Sequence, residues 1–467
     1  MRGGTMKLLK AFLDISNELT PMFSQKRIAL RATRLLLSNL LCIGRHWLTR
    51  ILCATNRDQR DWSADYRLFS RSPWKTQDLF EPAIRQSLDY LKEENFICIA
   101  GDETKIKRAG RKVKRSRWMR DPLSPPFQVN FIKGIRIIQF AVILPLHRIA
   151  GVTARSIPVL FEPVETLAKP KKKASKKEKA AYNKAKKKNT MCDQAVKHML
   201  SMRKAFDAAG EYARLLLFSL DGGFCNRKTF KAKLERCLVL ARCRKDAKLC
   251  FAANDSAHPR KKYADHKFTP ESIRKEKSIT FKSGKFFVGG KYREIRYKEI
   301  KHVLWQRGAG LKKLRLIVLA PIPYHLSPNS KINYREPAYL LTDANEQNIE
   351  KLIQAYVDRW EIEVNHRDEK QHIGIGDPQV WNDASVDRFP AFIVASYAFL
   401  LLASLEAYGA KRTDEYLRPP KWQRRRTRPS CLDLLALLRK EAIENPELLK
   451  TADLSFEPVE ACLKAAA

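Results

Sequence analysis

The chain has no paired cysteines. Its ten cysteines are scattered singly from Cys42 to Cys462, and none forms a CxxC pair. That excludes a zinc knuckle or ribbon built on such pairs. It leaves reduced, mostly buried thiols of a cytosolic protein as the expectation. No apolar N-terminal segment has the form of a secretion signal, and no internal repeat is present. One charge-free run, "FPAFIVASYAFLLLASL" at 389–405, is a little short for a membrane span. It opens on a helix-start signal, Asp387 shortly before Pro390, and is expected to be a buried helix of a large domain rather than a membrane segment. Acidic residues are also scarce: 50 stand against 90 Lys and Arg, for a net charge of +40. Such an excess sets up a long-range field that attracts polyanions, nucleic acid above all.

What is present suits a globular chain. With 467 residues, 44% of them hydrophobic, the chain is long enough for two to four structural units around a substantial core. Residues 1–95 show apolar residues at helical spacing, and "RIALRATRLLLSNLLC", a turn at Ile43–Gly44 and "RHWLTRILCATN" resemble a helix–turn–helix in outline. Behind it Arg57, Arg60, Arg67, Arg71 and Lys75 alternate with Trp62, Tyr66, Phe69 and Trp74. Arginines can hold phosphates while aromatics pack or stack on bases. A helical DNA-binding region is therefore expected over 1–95.

At residue 96 the pattern changes to strands. "FICIAGD" is a short apolar strand that ends in Asp102, and "GIRIIQFAVILP" and "RSIPVLFEPV" read as two more. Between them, Lys105 to Arg120 holds nine basic residues and no acid. Residues 169–189 hold eleven lysines and one acid, and the pattern predicts one long basic helix running to near Gly210. "RLLLFSLDGGF" is a second apolar strand ending in a carboxylate, Asp221. A helix over 226–238 and two short strands should follow it. Residues 254–342 read as a β-rich insertion, and a long helix is expected from near 345. The remainder, 406–467, reads as helical and basic, with "KWQRRRTR" at 421–428.

The stretch "YVDRWEIEVNHRDEK" (356–370) carries five carboxylates. On a helix turning about 100° per residue, Glu363, Arg359 and Lys370 fall within about 60° of Tyr356, continuous with Leu352 and Ile353. Asp358, Glu361, Asp368 and Glu369 fall on the opposite side, as solvated, ion-pairing acids. Glu363 thus stands apart, on the apolar and inward side. A carboxylate placed there must be paired, protonated or bound to metal. Asp102 and Asp221 each end an apolar strand, where ligands of such sheets bind. Three converging carboxylates repel one another. With no Cys or His set, oxygen-only ligation favours Mg²⁺ or Mn²⁺. Two such ions about 4 Å apart could hold the attacking and leaving oxygens of a phosphoryl transfer. Glu103, beside Asp102, points to the other face of its strand.

The spacing Tyr-x2-Arg-x3-Glu-x6-Lys, met by Tyr356, Arg359, Glu363 and Lys370, resembles the YREK signature of DDE transposases from bacterial insertion sequences, of the insertion-sequence-four kind. "IAGDETK", "LDGGF" and "LLTD" fit the other landmarks, and the 142 residues from Asp221 to Glu363 leave room for a β-strand insertion. The resemblance covers roughly 95–385. It implies a mixed α/β fold: an RNase H-like core over 96–253 and 343–405, interrupted by the insertion at 254–342. It implies that Asp102, Asp221 and Glu363 bind two Mg²⁺ (or Mn²⁺) ions, and that Tyr356, Arg359 and Lys370 hold phosphates near the scissile bond. Trp360, with Trp305 and Trp381, is a candidate for stacking on a displaced base. The implied activity is cleavage at transposon ends and joining of the freed 3′-hydroxyls to target DNA. The implied partners are double-stranded DNA and a second copy of the chain in the synaptic complex, in a bacterial cytoplasm at the nucleoid. The competing reading is a transposase-derived DNA-binding protein that no longer cuts. Intact Asp102, Asp221 and Glu363 argue against it.

Overall fold

The computed structural model describes residues 7–466 apart from 109, 111, 122, 123, 126, 254–257, 259, 326–329 and 423–425. The middle of the basic run at 421–428 and Arg111 of the 105–120 run therefore lie outside the described residues. The N-terminal third holds helices α1 (Leu8–Asn17), α2 (Lys26–Leu41), α3 (Leu48–Cys53), α4 (Ser63–Ser70) and α5 (Glu81–Leu88). Strands β1 (Phe96–Lys107), β2 (Arg117–Arg120) and β3 (Phe131–Leu144), helix α6 (Leu146–Ala150) and β4 (Arg155–Pro163) follow. Next come α7 (Lys176–Lys188), α8 (Met191–Ala208), β5 (Leu215–Leu220), α9 (Arg227–Phe230), β6 (Cys237–Arg242), β7 (Leu249–Ala252), β8 (Tyr263–Phe268) and α10 (Pro270–Lys275). Strands β9 (Lys282–Val288), β10 (Lys291–Leu304), β11 (Lys313–Leu319), β12 (Pro323–His325), β13 (Ile332–Tyr334) and β14 (Ala338–Thr342) lead to α11 (Ile349–Asp358) and α12 (Glu361–Gln371). Helices α13 (Asp383–Tyr408), α14 (Cys431–Glu444), α15 (Pro446–Thr451) and α16 (Pro458–Ala466) complete the chain. The fold is mixed α/β, with helical N- and C-terminal regions.

The chain forms two compact units. Unit one is Met1–Lys92, Asp102–Thr166 and Glu361–Ala467; unit two is Glu93–Gly101 and Leu167–Trp360.

Unit one is built around α13, against which α1, α2, α4, α5 and β4 pack. A helix that is apolar on all sides must be buried, and α13 is buried continuously from Phe389 to Leu405. It alone among the described residues is long and apolar enough to cross a membrane, and it is instead the core helix of this unit. Its start lies four residues before the expected signal: Asn382 Oδ1 accepts from the Ala384 and Ser385 amides (3.1 and 3.3 Å). Asp387 instead pairs with Arg115. The α2–turn–α3 hairpin forms as expected, but Leu35, Leu36, Leu40 and Leu41 of α2 are core residues. The aromatic run behind it divides. Phe69 and Trp74 are buried, Phe69 stacking on Phe389 at 4.4 Å, while Trp62 and Tyr66 are exposed.

Strands β3 and β4 pair antiparallel from Leu144↔Arg155 to Ile137↔Pro163. Further along β3, a Cβ on Gly134 would stand 2.3 Å from the Ile106 carbonyl oxygen of β1, so only glycine permits this approach.

Unit two carries the parallel strands, residues 96–101 of β1 with β5 and β5 with β6. Beyond β6 the order is β14, β11, β10, β7 and β8, with β9 on β10. The β-rich stretch therefore continues this same sheet. Strand β14 supplies the antiparallel partner of β6, pairing Leu341 with Ala241, and satisfies an edge that would otherwise stay open. The expected long basic helix is two. Thr190 opens α8 with a capping box to Asp193, which ends α7 at Lys188. The helix expected over 226–238 is the single turn α9.

Candidate active site

In unit two, β1 and β5 are apolar and buried from Phe96 and Leu216 onward. They run parallel in the register Phe96↔Leu215 through Gly101↔Leu220. The next residue along each strand is an aspartate, Asp102 or Asp221. Asp221 keeps extended backbone (φ −72°, ψ 167°) before the Gly222–Phe224 turn. That turn is held by the buried Phe224 ring and by Asn226, whose Nδ2 donates to the Gly223 carbonyl at 3.2 Å. Both aspartates are half-buried. Glu103 is engaged by β3: Arg136 Nε donates to its carboxylate at 2.7 Å.

The stretch 356–370 is two helices rather than one. Helix α11 ends at Asp358, Arg359 and Trp360 form a turn, and α12 begins at Glu361. In unit two, Ser219 Oγ, two residues before Asp221, donates to the Ala355 carbonyl of α11 at 3.3 Å. Gln354 exchanges hydrogen bonds with the backbone of Phe287 (2.9 and 3.1 Å) and donates to Asp358 at 2.9 Å. Tyr356 is half-buried, Arg359 buried and Trp360 exposed. Trp305 packs edge-on against Phe230 at 5.9 Å, and Trp381 is exposed.

In unit one, α12 reverses the expected faces. Asp368 and Glu369, expected in water, are 4% and 0% exposed; in unit two, Asp358 on α11, also expected in water, is 7% exposed. Glu363 is half-buried and Lys370 exposed. The physical reason is that the inward face of α12 is polar and meets polar partners. Asn365 Nδ2 donates to Ser156 of β4 (3.0 Å to the carbonyl, 3.1 Å to Oγ). Tyr397 of α13 donates to Asp368 at 3.1 Å, and Gln139 of β3 donates to Glu369 at 2.7 Å. Glu361 is held by Arg428 at 2.9 Å. Of the five acids, Asp358, Asp368 and Glu369 are buried, while Glu361 and Glu363 are both half-buried. Complete burial pushes the Glu369 pKa up to about 8, with the Gln139 hydrogen bond and the Lys370 charge opposing the rise. Partial burial lowers the Lys370 pKa, against the opposing pull of Glu369 and Asp102.

Gln139, Ser156 and Tyr397 are not identified by sequence pattern. One signal was visible: a glutamine inside the apolar run "IIQFAVIL" must find a buried partner. Among the described residues no three His, Cys, Asp or Glu side chains form a group that could hold a metal ion as they stand. The three carboxylates expected as ligands are of a type that suits a hard divalent cation. Asp102 and Glu363 in unit one and Asp221 in unit two are half-buried carboxylates, and oxygen donors of this kind select Mg²⁺ or Mn²⁺ over softer metals.

No curated protein matches the chain. A family model described as DDE superfamily endonuclease matches residues 18–310, a span that includes Asp102 and Asp221 and ends before Tyr356, Arg359, Glu363 and Lys370. With well over half of its length matched, the chain belongs to the DDE superfamily endonucleases.

Proposed function

We propose that this DDE endonuclease is a transposase of the insertion-sequence-four kind, acting on double-stranded DNA as a homodimer. It cleaves transposon ends by hydrolysis and joins the freed 3′-hydroxyls to target DNA by transesterification. In the first step water adds to the scissile phosphorus and the 3′-oxygen leaves. In the second that 3′-hydroxyl adds to a target phosphorus and displaces the target 3′-oxygen. What supports this reading most is the β1–β5 register, which brings two apolar strands to their aspartates at the same level. Asp102, Asp221 and Glu363 are the proposed ligands of two Mg²⁺ (or Mn²⁺) ions. When bound, such ions supply charge stabilisation to the attacking and leaving oxygens.

Tyr356, Arg359 and Lys370 hold non-bridging phosphate oxygens and so fix the scissile strand. Trp360, 57% exposed, offers an open ring to a displaced base. Phosphate binding further out falls to the lysines of α7, a helix that buries no residue. The test is incubation of the chain with Mg²⁺ and DNA bearing the element's own ends, with cuts and joined products mapped. Asp221→Asn and Glu363→Gln should each abolish cutting and leave end binding intact. Cutting retained by either variant would remove that residue from the metal-binding set.

A further inference from the structure

The β2–β3 hairpin of unit one presents aromatic rings to solvent where a fold would normally hide them. Trp118 is 71% exposed and Phe131 is 63% exposed. The register pairs Trp118 with Lys133 and Arg120 with Phe131. Directly opposed residues share a face, as do residues two apart on a strand. Trp118, Arg120, Phe131 and Lys133 therefore form one surface in which two rings alternate with two cations. No acid lies in the strands that build it.

The face can be identified. Glu103 and Arg136 are bonded to each other on one side of the β1–β3 pair. Alternation then assigns Asp102, one residue from Glu103, and Lys133, three residues from Arg136, to the other side. The ring-and-cation surface is thus on the side of the sheet that carries the Asp102 carboxylate. Arg108 at the end of β1 donates its amide to the Lys133 carbonyl at 2.9 Å. Counted along β1 and across two strands, Trp118 lies roughly 20 Å from Asp102.

We propose that Trp118 and Phe131 are a stacking platform for unpaired bases of the DNA strand that leads away from the cleaved phosphate, with Arg120 and Lys133 on its backbone. The proposal rests on the DNA-cleaving reading for its substrate, but the surface argues for it separately. Aromatic rings interleaved with cations bind single strands without reading sequence. A second copy of the same face would meet it with like charge, which disfavours self-association there.

The test is fluorescence anisotropy of the full chain with a labelled oligothymidylate and with an abasic oligonucleotide of the same length. The wild type should prefer the base-bearing strand. Trp118→Ala and Phe131→Ala should each weaken that binding about tenfold, leave the abasic strand unchanged and so erase the preference. Trp118→Phe should restore most of it. Arg120→Gln should weaken both strands alike. Equal wild-type binding of the two strands, or unchanged binding by Trp118→Ala, would overturn the proposal. So would a shift from dimer to monomer in sedimentation on Trp118→Ala, which would make the rings a protein interface. A chain that cuts no DNA yet shows the Trp118-dependent preference would instead overturn the transposase reading alone.

Discussion

Glu369 gives the sharpest quantitative expectation. It sits on α12, fully buried, with Gln139 donating to one carboxyl oxygen. Its pKa rises from 4.5 to about 8 on folding, because burial disfavours the anion. Below pH 4.5 both the folded and unfolded chains hold the proton. Between 4.5 and about 8 the unfolded chain has lost it and the folded chain keeps it, so stability falls as pH rises through that window. Above 8 the loss is complete and level. At 1.36 kcal/mol per pKa unit the full loss is about 4 to 5 kcal/mol. Glu369→Gln keeps the shape and an acceptor for Gln139 but cannot ionise. The variant should match the wild type near pH 4.5 and exceed it increasingly up to pH 8. Unfolding of a 467-residue chain carries an entropy of about 1 kcal/mol per kelvin, so the Tm gain at pH 8 should be about 4 to 5 °C. Thermal melts followed by far-UV circular dichroism at pH 5, 6, 7 and 8 measure it. A Tm difference between variant and wild type that does not change with pH would refute the buried, neutral carboxyl.

Other expectations concern neighbouring groups and the basic surface. Glu361→Gln removes a half-buried pair with Arg428 and should cost about 1–3 kcal/mol of stability while leaving DNA cutting by the folded chain intact; a loss of cutting equal to that of Glu363→Gln would refute the separation of the two acids. Replacing Lys176, Lys177, Lys184 and Lys187 of the exposed α7 by Gln should flatten the slope of log affinity against log salt by about 0.9 for each phosphate no longer neutralised, and an unchanged slope would remove α7 from the DNA-binding surface. Gly134→Ala drives a methyl to 2.3 Å from the Ile106 carbonyl oxygen and should lower stability by about 1–3 kcal/mol, read from urea unfolding; a neutral result would mean that β1 and β3 separate there at no cost.

Much of the fold was legible from local pattern. The apolar stretches that lead into Asp102 and Asp221, the strands at 131–144 and 155–163 and the buried α13 all announce themselves by composition, although β1 does not end at Asp102 as expected but runs on to Lys107. Hydrophobic burial acts on each of them residue by residue, so their sequences carry the signal. Breaks between helices were less visible. The Thr190 cap that splits the lysine-rich stretch and the turn at Arg359–Trp360 each rest on a few residues whose pattern does not interrupt the helical period.

The sequence by itself determined that 356–370 is helical and rich in acids, and helical phase, which depends only on spacing, set Glu363 apart on a wheel drawn unbroken through Arg359 and Trp360, where the chain in fact turns. It could not determine which way that carboxylate points. The wheel takes its inward side from apolar residues, and α12 turns a polar side inward. Tertiary structure decided this through Ser156, Gln139 and Tyr397, which stand 209, 230 and 29 residues along the chain from Asn365, Glu369 and Asp368, the side chains they satisfy in turn. A buried polar face is stable only when such partners arrive. Their arrival is a property of the fold, not of the fifteen residues that carry the acids.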